Sequence, residues 1–301
     1  MVTNKRQETT VEVLALCHLA GVSPRLMEVL IYIFGNTQGI LGADEATLAT
    51  IDGMSARAAE KIASASLRLE EAEELYGTLR DRDIGITSRF DHDYPRLLFE
   101  LNDPPPLLYT RGHLPDNDRK TVLLTGAEEA TNEGIELTVR LAKLFGQADV
   151  QMIASLSKGI DAAAHVGACT AGCDSYGVLD SGFDHIHPEE HLSLALDIAQ
   201  SGGIITECPP QQAYHPDKIT AANRLLAGLA QAVVITELYA DSQRALDLLS
   251  FCRQIGKLTF FMAADDCQPL ADEKSLQTAI ECGAILMTSP DQAGDIVRTL
   301  V

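Results

Sequence analysis

The chain has 301 residues, 46% of them hydrophobic, which is length for two domains and enough apolar material for full cores. Its formal net charge of −20, from 23 Lys+Arg against 43 Asp+Glu, disfavours generic polyanion binding, which needs a basic balance or patch. Seven cysteines without a C-x-x-C pair fit a reducing cytosol better than a disulfide framework, and no apolar run approaches the roughly 20 residues of a membrane span. The polar start, Met1 to Glu8, has no apolar stretch behind it, so no secretory signal, no membrane partner and a cytoplasmic location are expected.

From about Thr9 to Arg82 the chain reads as helical. Val11, Leu14, Leu19, Met27, Leu30, Ile31 and Phe34 recur at helical intervals, and Ser23-Pro24 is a helix start signal. Ile51-Asp52-Gly53-Met54-Ser55, followed by Ala58, Ala59 and Ile62, has the outline of a helix-hairpin-helix. In such a hairpin glycine permits the tight turn, and the next helix offers N–H groups to a phosphate. A small SAM-like bundle with a glycine turn is the preferred reading, because only Arg57 and Lys61 supply cations there. Leu67–Arg82 carries Glu70, Glu71, Glu73 and Glu74 and reads as a solvated helix, and Ile84–Ser88 as a short strand. Pro104, Pro105 and Pro106 then impose an extended connection. The expected organisation is a helical domain over 1–88, a linker and lead-in over 89–119, and a sheet domain over 120–301.

From Lys120 short β-rich runs alternate with helical segments. The runs are Thr121–Leu124, Gln151–Ala154, Ser175–Leu179, Ile204–Thr206, Val233–Thr236, Leu258–Met262 and Ala284–Met287. Between them Glu133–Phe145, Ile160–Ala171, Glu189–Gln200, Asn223–Leu229, Ser242–Gln254 and Glu273–Glu281 read as helices. Such alternation predicts an α/β fold, a mainly parallel sheet with helices on both faces. Right-handed crossovers bring the loops after the strands to one edge, where the ligand site is expected. Those loops hold Gly126, Lys158-Gly159, Ser181-Gly182, Glu207 and Glu237.

At that edge Lys158 and Gly159 precede a helix whose N–H groups, with the lysine charge, suit a phosphate. Asp161 in the first turn complements the helix dipole or orients a ligand, and His165 four residues on bonds it or nearby backbone. Asn223-Arg224 is read as a helix start that places a fork-shaped cation at the same edge. Glu207 and Glu237 end strands and could orient loop N–H groups or hold a ribose hydroxyl. Used as an acid/base pair they would make a nucleotide hydrolase. His185, His187 and His191, and the stripe His165, Cys169, Cys173, are read as surface and core groups, so no metal is expected. Neither a Gly-x-Ser-x-Gly elbow nor a Gly-x-x-x-x-Gly-Lys-Ser/Thr loop is present, and no catalytic residue or cofactor is assigned.

Several ordered pieces carry a resemblance. They are Tyr94-Pro95 with Leu97-Leu98, Asp103-Pro104-Pro105 with Leu108-Tyr109, and Gly159-Ile160-Asp161 with Ala164-His165 and Gly167-Ala168. Gly182-Phe183-Asp184, Thr206-Glu207-Cys208-Pro209, Asn223–Leu229, Val234-Ile235-Thr236-Glu237 and Gly283-Ala284 complete the series. In this order they resemble the DprA/Smf family of DNA-processing proteins, over roughly Asp93 to Asp295, and the helical N-terminal part resembles that family's first domain. The resemblance implies an extended Rossmann-like domain that binds single-stranded DNA, forms a homodimer and hands the strand to a RecA-type recombinase. It implies no catalytic residue. With the residue reading above, the strand is expected on Gly126, Lys158, Gly159, Ser181, Gly182, Asn223, Arg224, Ser242 and Arg244, and Asp161, Glu207 and Glu237 are candidate ligand-orienting acids. A winged helix found at the end of some members is not expected here.

Departures from the family pattern fall on charge. Its Gly-Ser-Arg loop is Gly126-Ala127-Glu128, which exchanges a cation for a carboxylate, and its Arg-Asn-Arg is Ala222-Asn223-Arg224. The Ser-Gly that opens its next loop is Ala154-Ser155, another Ser-Gly is Ser242-Gln243, and its Tyr-Pro is His187-Pro188. From Asp116 onward 12 Lys+Arg face 26 Asp+Glu, a net of −14. The expected function is a DprA-like, non-catalytic single-stranded DNA-binding protein of DNA uptake or recombination. The competing reading is a divergent Rossmann-like protein that binds a nucleotide-derived small molecule or serves as a protein-interaction platform.

Overall fold

The apolar intervals of the first eighty residues fold as helices in a computed structural model that describes residues 2–263 and 268–300. Met1, Cys267 and Val301, which figure in the sequence reading, lie outside the described residues. Two units emerge, Met1–Tyr94 with Asn102–Thr110 and Pro95–Leu101 with Arg111–Val301. The stretch read as a linker, 89–119, is shared between them.

The first unit holds α1 (Val2–Leu14), α2 (Pro24–Phe34), α3 (Thr37–Leu41), α4 (Glu45–Ala49), α5 (Ala56–Ala63) and α6 (Leu69–Asp81). Four of these begin where a short polar side chain takes an orphan N–H: Ser23 from Leu26, Asn36 from Gly39, Asp44 from Thr47 and Ser55 from Ala58. Val11 and Ala15 pack against Ala72 with Leu69 and Tyr76 alongside, joining the first helix to the sixth. Gly53, with φ of +76°, turns the chain between α4 and α5, so the hairpin outline is formed, with Arg57 and Lys61 on its surface. Strand β1 (Gly85–Ser88) pairs antiparallel with β2 (Leu107–Gly112), Gly85 facing Thr110 and Ser88 facing Leu107. The buried Asp91 carboxylate accepts the Ser88 N–H at 2.7 Å and the Thr10 hydroxyl at 3.1 Å, which ties the first helix to this ladder.

The second unit is the predicted alternation. Its strands are β3 (Thr121–Thr125), β4 (Gln151–Ser155), β5 (Ser175–Val178), β6 (Gly203–Thr206), β7 (Ala232–Ile235), β8 (Glu237–Leu238), β9 (Leu258–Met262), β10 (Leu270–Ala271) and β11 (Ile285–Met287). Between or after them run α7 (Asn132–Gln147), α8 (Ile160–Thr170), α9 (Leu192–Ser201), α10 (Lys218–Leu229), α11 (Gln243–Gln254), α12 (Glu273–Glu281) and α13 (Ala293–Thr299). The parallel order is β6-β5-β4-β3-β7-β9-β11, while β8 and β10 form a separate short parallel pair. Alternate residues serve opposite faces. Val122, Leu124, Met152, Ala154, Val234 and Phe260 pack with Leu137, Leu141 and Phe145 of α7, Ala164 and Ala168 of α8, and Ile296 of α13. Leu123, Ile153, Val233 and Phe261 are equally buried on the other face, where α10 lies against β3, β4 and β5. Burial on both faces explains strands that read as continuous apolar runs.

One helix start differs from expectation. α10 begins at Lys218, not at Asn223, so Asn223 and Arg224 lie in its second turn and are buried. The β-branched Ile219 and Thr220 mask a start that Pro216-Asp217 announces.

Candidate crevice at the strand ends

The chain runs outward from β3 in both directions, which puts the topological switch point between β3 and β7. Protein fills that position. The Ala127 N–H donates to the Glu237 carbonyl at 2.9 Å, and a Cβ on Gly126 would collide with that carbonyl and with Ile160. The fully buried Glu237 carboxylate accepts the Thr131 N–H at 3.1 and 3.0 Å, at the start of α7. Gly134 must lack a side chain, since a Cβ would run into the same carboxylate. An internal anion thus sits on the helix N-terminus where a dinucleotide fold receives pyrophosphate. Glu237 faces inward, and its carboxylate holds a loop N–H, that of Thr131.

The β4 loop is braced from below. Asp161, 4% exposed, accepts the Thr125 hydroxyl at 2.9 Å, the Ser155 N–H at 3.1 Å and the Ser155 hydroxyl at 2.5 Å. From the first turn of α8 it thus joins the ends of β3 and β4. Burial pushes its carboxyl above the usual range, against the pull of those donors and of Arg244. Gly159 has φ of +67°, and a Cβ there would overlap the carbonyl oxygens of Ala127 and Glu128. The Ile160 N–H donates to the Ala127 carbonyl at 3.0 Å, so the first donor of α8 is spent inside the protein. Among the N–H groups expected to meet a phosphate, that one is excluded.

His165 is fully buried in the same layer. Its Nε2 lies 2.9 Å from the Ser155 carbonyl, which only accepts, so Nε2 carries the proton and Nδ1 accepts from the Ser175 hydroxyl at 2.7 Å. Burial lowers its pKa from 6.5 to about 4. The unfolded chain therefore takes up a proton below pH 6.5 that the folded chain refuses until pH 4, and stability is lost as pH falls through that window. Through this group alone the loss between pH 7 and pH 5 should reach roughly 2 kcal/mol. Urea midpoints at the two pH values test it: His165→Gln should remove about that much of the pH dependence, whatever its cost at pH 7. An equal slope in both proteins would refute the assignment.

The expected cations do converge on this edge, each joined to a carboxylate. Arg244 donates to Asp180 at 2.7 Å, with side chains 14% and 5% exposed. Arg224 pairs with Glu207, with side chains 10% and 16% exposed. Lys158 pairs with Glu190 at 2.6 Å, with side chains 53% and 59% exposed. Glu190, with help from Glu129 and Glu128, holds the Lys158 ammonium above its usual range. Glu207 is thus paired with Arg224, while the Glu237 carboxylate is buried against the Thr131 N–H.

Other expected contacts turn out to be supports. Ser181 is wholly buried, and its carbonyl accepts from the Thr206 hydroxyl at 2.9 Å. Gly182 donates to the Gln212 carbonyl at 2.7 Å and packs against Pro209 and Pro210, with no space for a Cβ. Asn223 donates to the Arg244 carbonyl at 3.2 Å, and Ser242 accepts the Tyr239 N–H at 3.1 Å. The side chains of Ser181, Asn223 and Ser242 are all buried.

What stays open is a crevice of about 120 Å³ beyond β4 and β5, lined by Glu128, Leu156, Ser157, Lys158, Asp180, His187, Tyr214, Ile219 and Arg244. His187 and Tyr214 form a stacked pair on its wall, ring centroids 4.2 Å apart. His191 donates to the Leu156 carbonyl at 2.7 Å instead of joining His185 and His187. Among the described residues no three His, Cys, Asp or Glu side chains are grouped to hold a metal. Asp180, Glu190 and Tyr214 are the site residues that sequence reasoning does not find. Asp180 and Glu190 stand in the loop after β5, where a search for acids facing Lys158 would have reached them.

Sheet order and a crevice beyond the carboxyl ends of its strands define the doubly wound, Rossmann-like class of α/β proteins. Within it, the chain belongs to the DNA recombination-mediator protein A family, whose model matches residues 85–297. Protein Smf of Synechocystis is 28% identical over 228 residues, covering 74% of this chain and 57% of the relative. DNA processing protein DprA of Bacillus subtilis is 27% identical over 187 residues, 59% of this chain and 62% of the relative. The chain thus spans about 57% to 62% of the length of these relatives. The solved DprA of Streptococcus pneumoniae matches at 21% identity with a TM-score of 0.76, over 97% of this chain and 98% of that one. DNA processing protein A of Helicobacter pylori, a protein with a unique single-stranded DNA binding mode, matches at 18% identity and a TM-score of 0.61, over 72% of this chain and 97% of that one. Among the described residues no helix is long and apolar enough to cross a membrane.

Proposed function

We infer that this chain is a DprA-like protein that binds single-stranded DNA in DNA uptake or recombination. The supporting observation is the family match over 85–297, which takes in every strand-end loop of the sheet. The strand would cross the crevice mouth, with Lys158 against a phosphate and the His187–Tyr214 stack beside a base. Arg224 and Arg244 would brace the loops from within. The protein would act in the cytoplasm without catalysis, as a homodimer, and pass the strand to a RecA-type recombinase.

Titrating a fluorescent dT oligonucleotide at rising salt tests the reading. Affinity should fall with a slope worth a few phosphates, at about 0.7 per phosphate for a single strand. Lys158→Ala should weaken binding and make that slope shallower by about 0.7. Absence of binding at low salt would remove the reading.

The pairing of Lys158, Arg224 and Arg244 with Glu190, Glu207 and Asp180 favours a second reading. With its cations neutralised, the crevice would take a nucleotide-derived small molecule or a protein partner instead of a polyanion. Binding of free nucleotide without binding of the oligonucleotide would select it.

A further inference from the structure

Three ion pairs hold the expected cations at the strand ends, and they differ in what it costs to open them. Taking Arg244 from Asp180, or Arg224 from Glu207, would strand a carboxylate with little access to water, and such a separation is expensive. Lys158 and Glu190 are both more than half exposed, so water replaces each partner at once and the pair is worth little. A phosphate arriving at the crevice can therefore exchange with only one carboxylate among these three.

Glu190 lies in a short helical turn, Glu189–His191, that follows β5, whereas Lys158 follows β4. The contact bridges neighbouring loops at Lys158, which lines the crevice. Glu128 lines the crevice, and Glu129 and Glu128 both attract the Lys158 ammonium, while His191 faces Glu190. A polyanion approaching Lys158 must dislodge Glu190 and then lie beside the displaced carboxylate.

On the reading of the crevice as a strand site, we propose that Glu190 is a built-in competitor for phosphate at Lys158, the one exchangeable cation of the three, and so sets the strand affinity. Glu190 is a positioning residue: it acts on the strand through the lysine it holds. Its carboxylate weakens every phosphate contact at Lys158 by a few-fold, which a strand that gains other contacts at the same time can offset.

The test is a double-mutant cycle with the fluorescent dT oligonucleotide at low and moderate salt, using Glu190→Gln, Lys158→Ala and the double variant. Glu190→Gln should tighten binding about two- to fivefold at low salt, with a smaller gain as salt screens the charge. In the Lys158→Ala background the same substitution should give less than half of that gain. Glu189→Gln changes net charge equally one residue away, at an exposed side chain, and should leave affinity nearly unchanged. A gain from Glu189→Gln equal to that from Glu190→Gln, or an undiminished gain without Lys158, would overturn the proposal in favour of a general charge effect. Wild-type binding that Glu190→Gln leaves unaltered would overturn the proposal alone. No binding by any of these proteins would overturn the strand reading itself, and this proposal with it.

Discussion

Replacing Asp161 by alanine should cost about 3 kcal/mol of stability, and replacing it by asparagine about 1 kcal/mol or less. Alanine leaves the Thr125 hydroxyl, the Ser155 N–H and the Ser155 hydroxyl without their acceptor, all within buried strand ends. Asparagine can keep them satisfied. Its oxygen takes the two Ser155 donors, and the Thr125 hydroxyl turns to accept from the amide, because a hydroxyl serves either way. Burial has already raised the carboxyl pKa, so a neutral group of the same shape also avoids part of a desolvation cost. The sign of the pH effect follows. The folded chain holds this proton to higher pH than the unfolded chain does, so the contribution is lost as pH rises out of the ordinary carboxylate range through the folded value. That runs opposite to His165, and asparagine should abolish it. Urea midpoints of the three proteins decide the matter. Equal costs for both substitutions would mean that the negative charge itself, through Arg244, is what the site requires.

The same two residues mark how far the sequence carries. Strands such as Gln151–Ser155 and Leu258–Met262 are legible because apolar runs of strand length alternate with helical segments. Strand β2 is hidden by Pro104–Pro106, which break structure up to the residue where the strand begins. The edge that carries the site is legible too, since parallel topology aligns the loops whatever their chemistry. The state of each cation is not. Asp180 and Arg244 meet across 64 residues, and Glu207 and Arg224 across 17, so pairing depends on packing that no local pattern encodes. Ser181 and Gly182 show the same limit, because in sequence a loop residue that holds a crevice in shape occupies the same position as one that fills it. Burial separates the two roles, and burial is a tertiary property.

Arg224→Ala carries the other large expectation, a loss of about 3 to 5 kcal/mol, because it leaves Glu207 charged and nearly buried. Adding Glu207→Gln should recover most of that loss, since a neutral amide needs no counter-ion. The double variant then separates two roles that the single variant confounds. With stability restored, a supporting Arg224 predicts strand affinity within about twofold of wild type, because on the proposed strand path it is Lys158 that would meet the phosphate. A phosphate-binding Arg224 predicts lower affinity in the double variant and a salt slope shallower by about 0.7. Burial of the guanidinium in the second turn of α10, with its charge already answered, makes the first outcome the expected one. Thermal melts and oligonucleotide titrations on the same preparations read both quantities. Were the slope to fall, Arg224 would have to leave Glu207 on binding, and the β6 loop would have to open to let it.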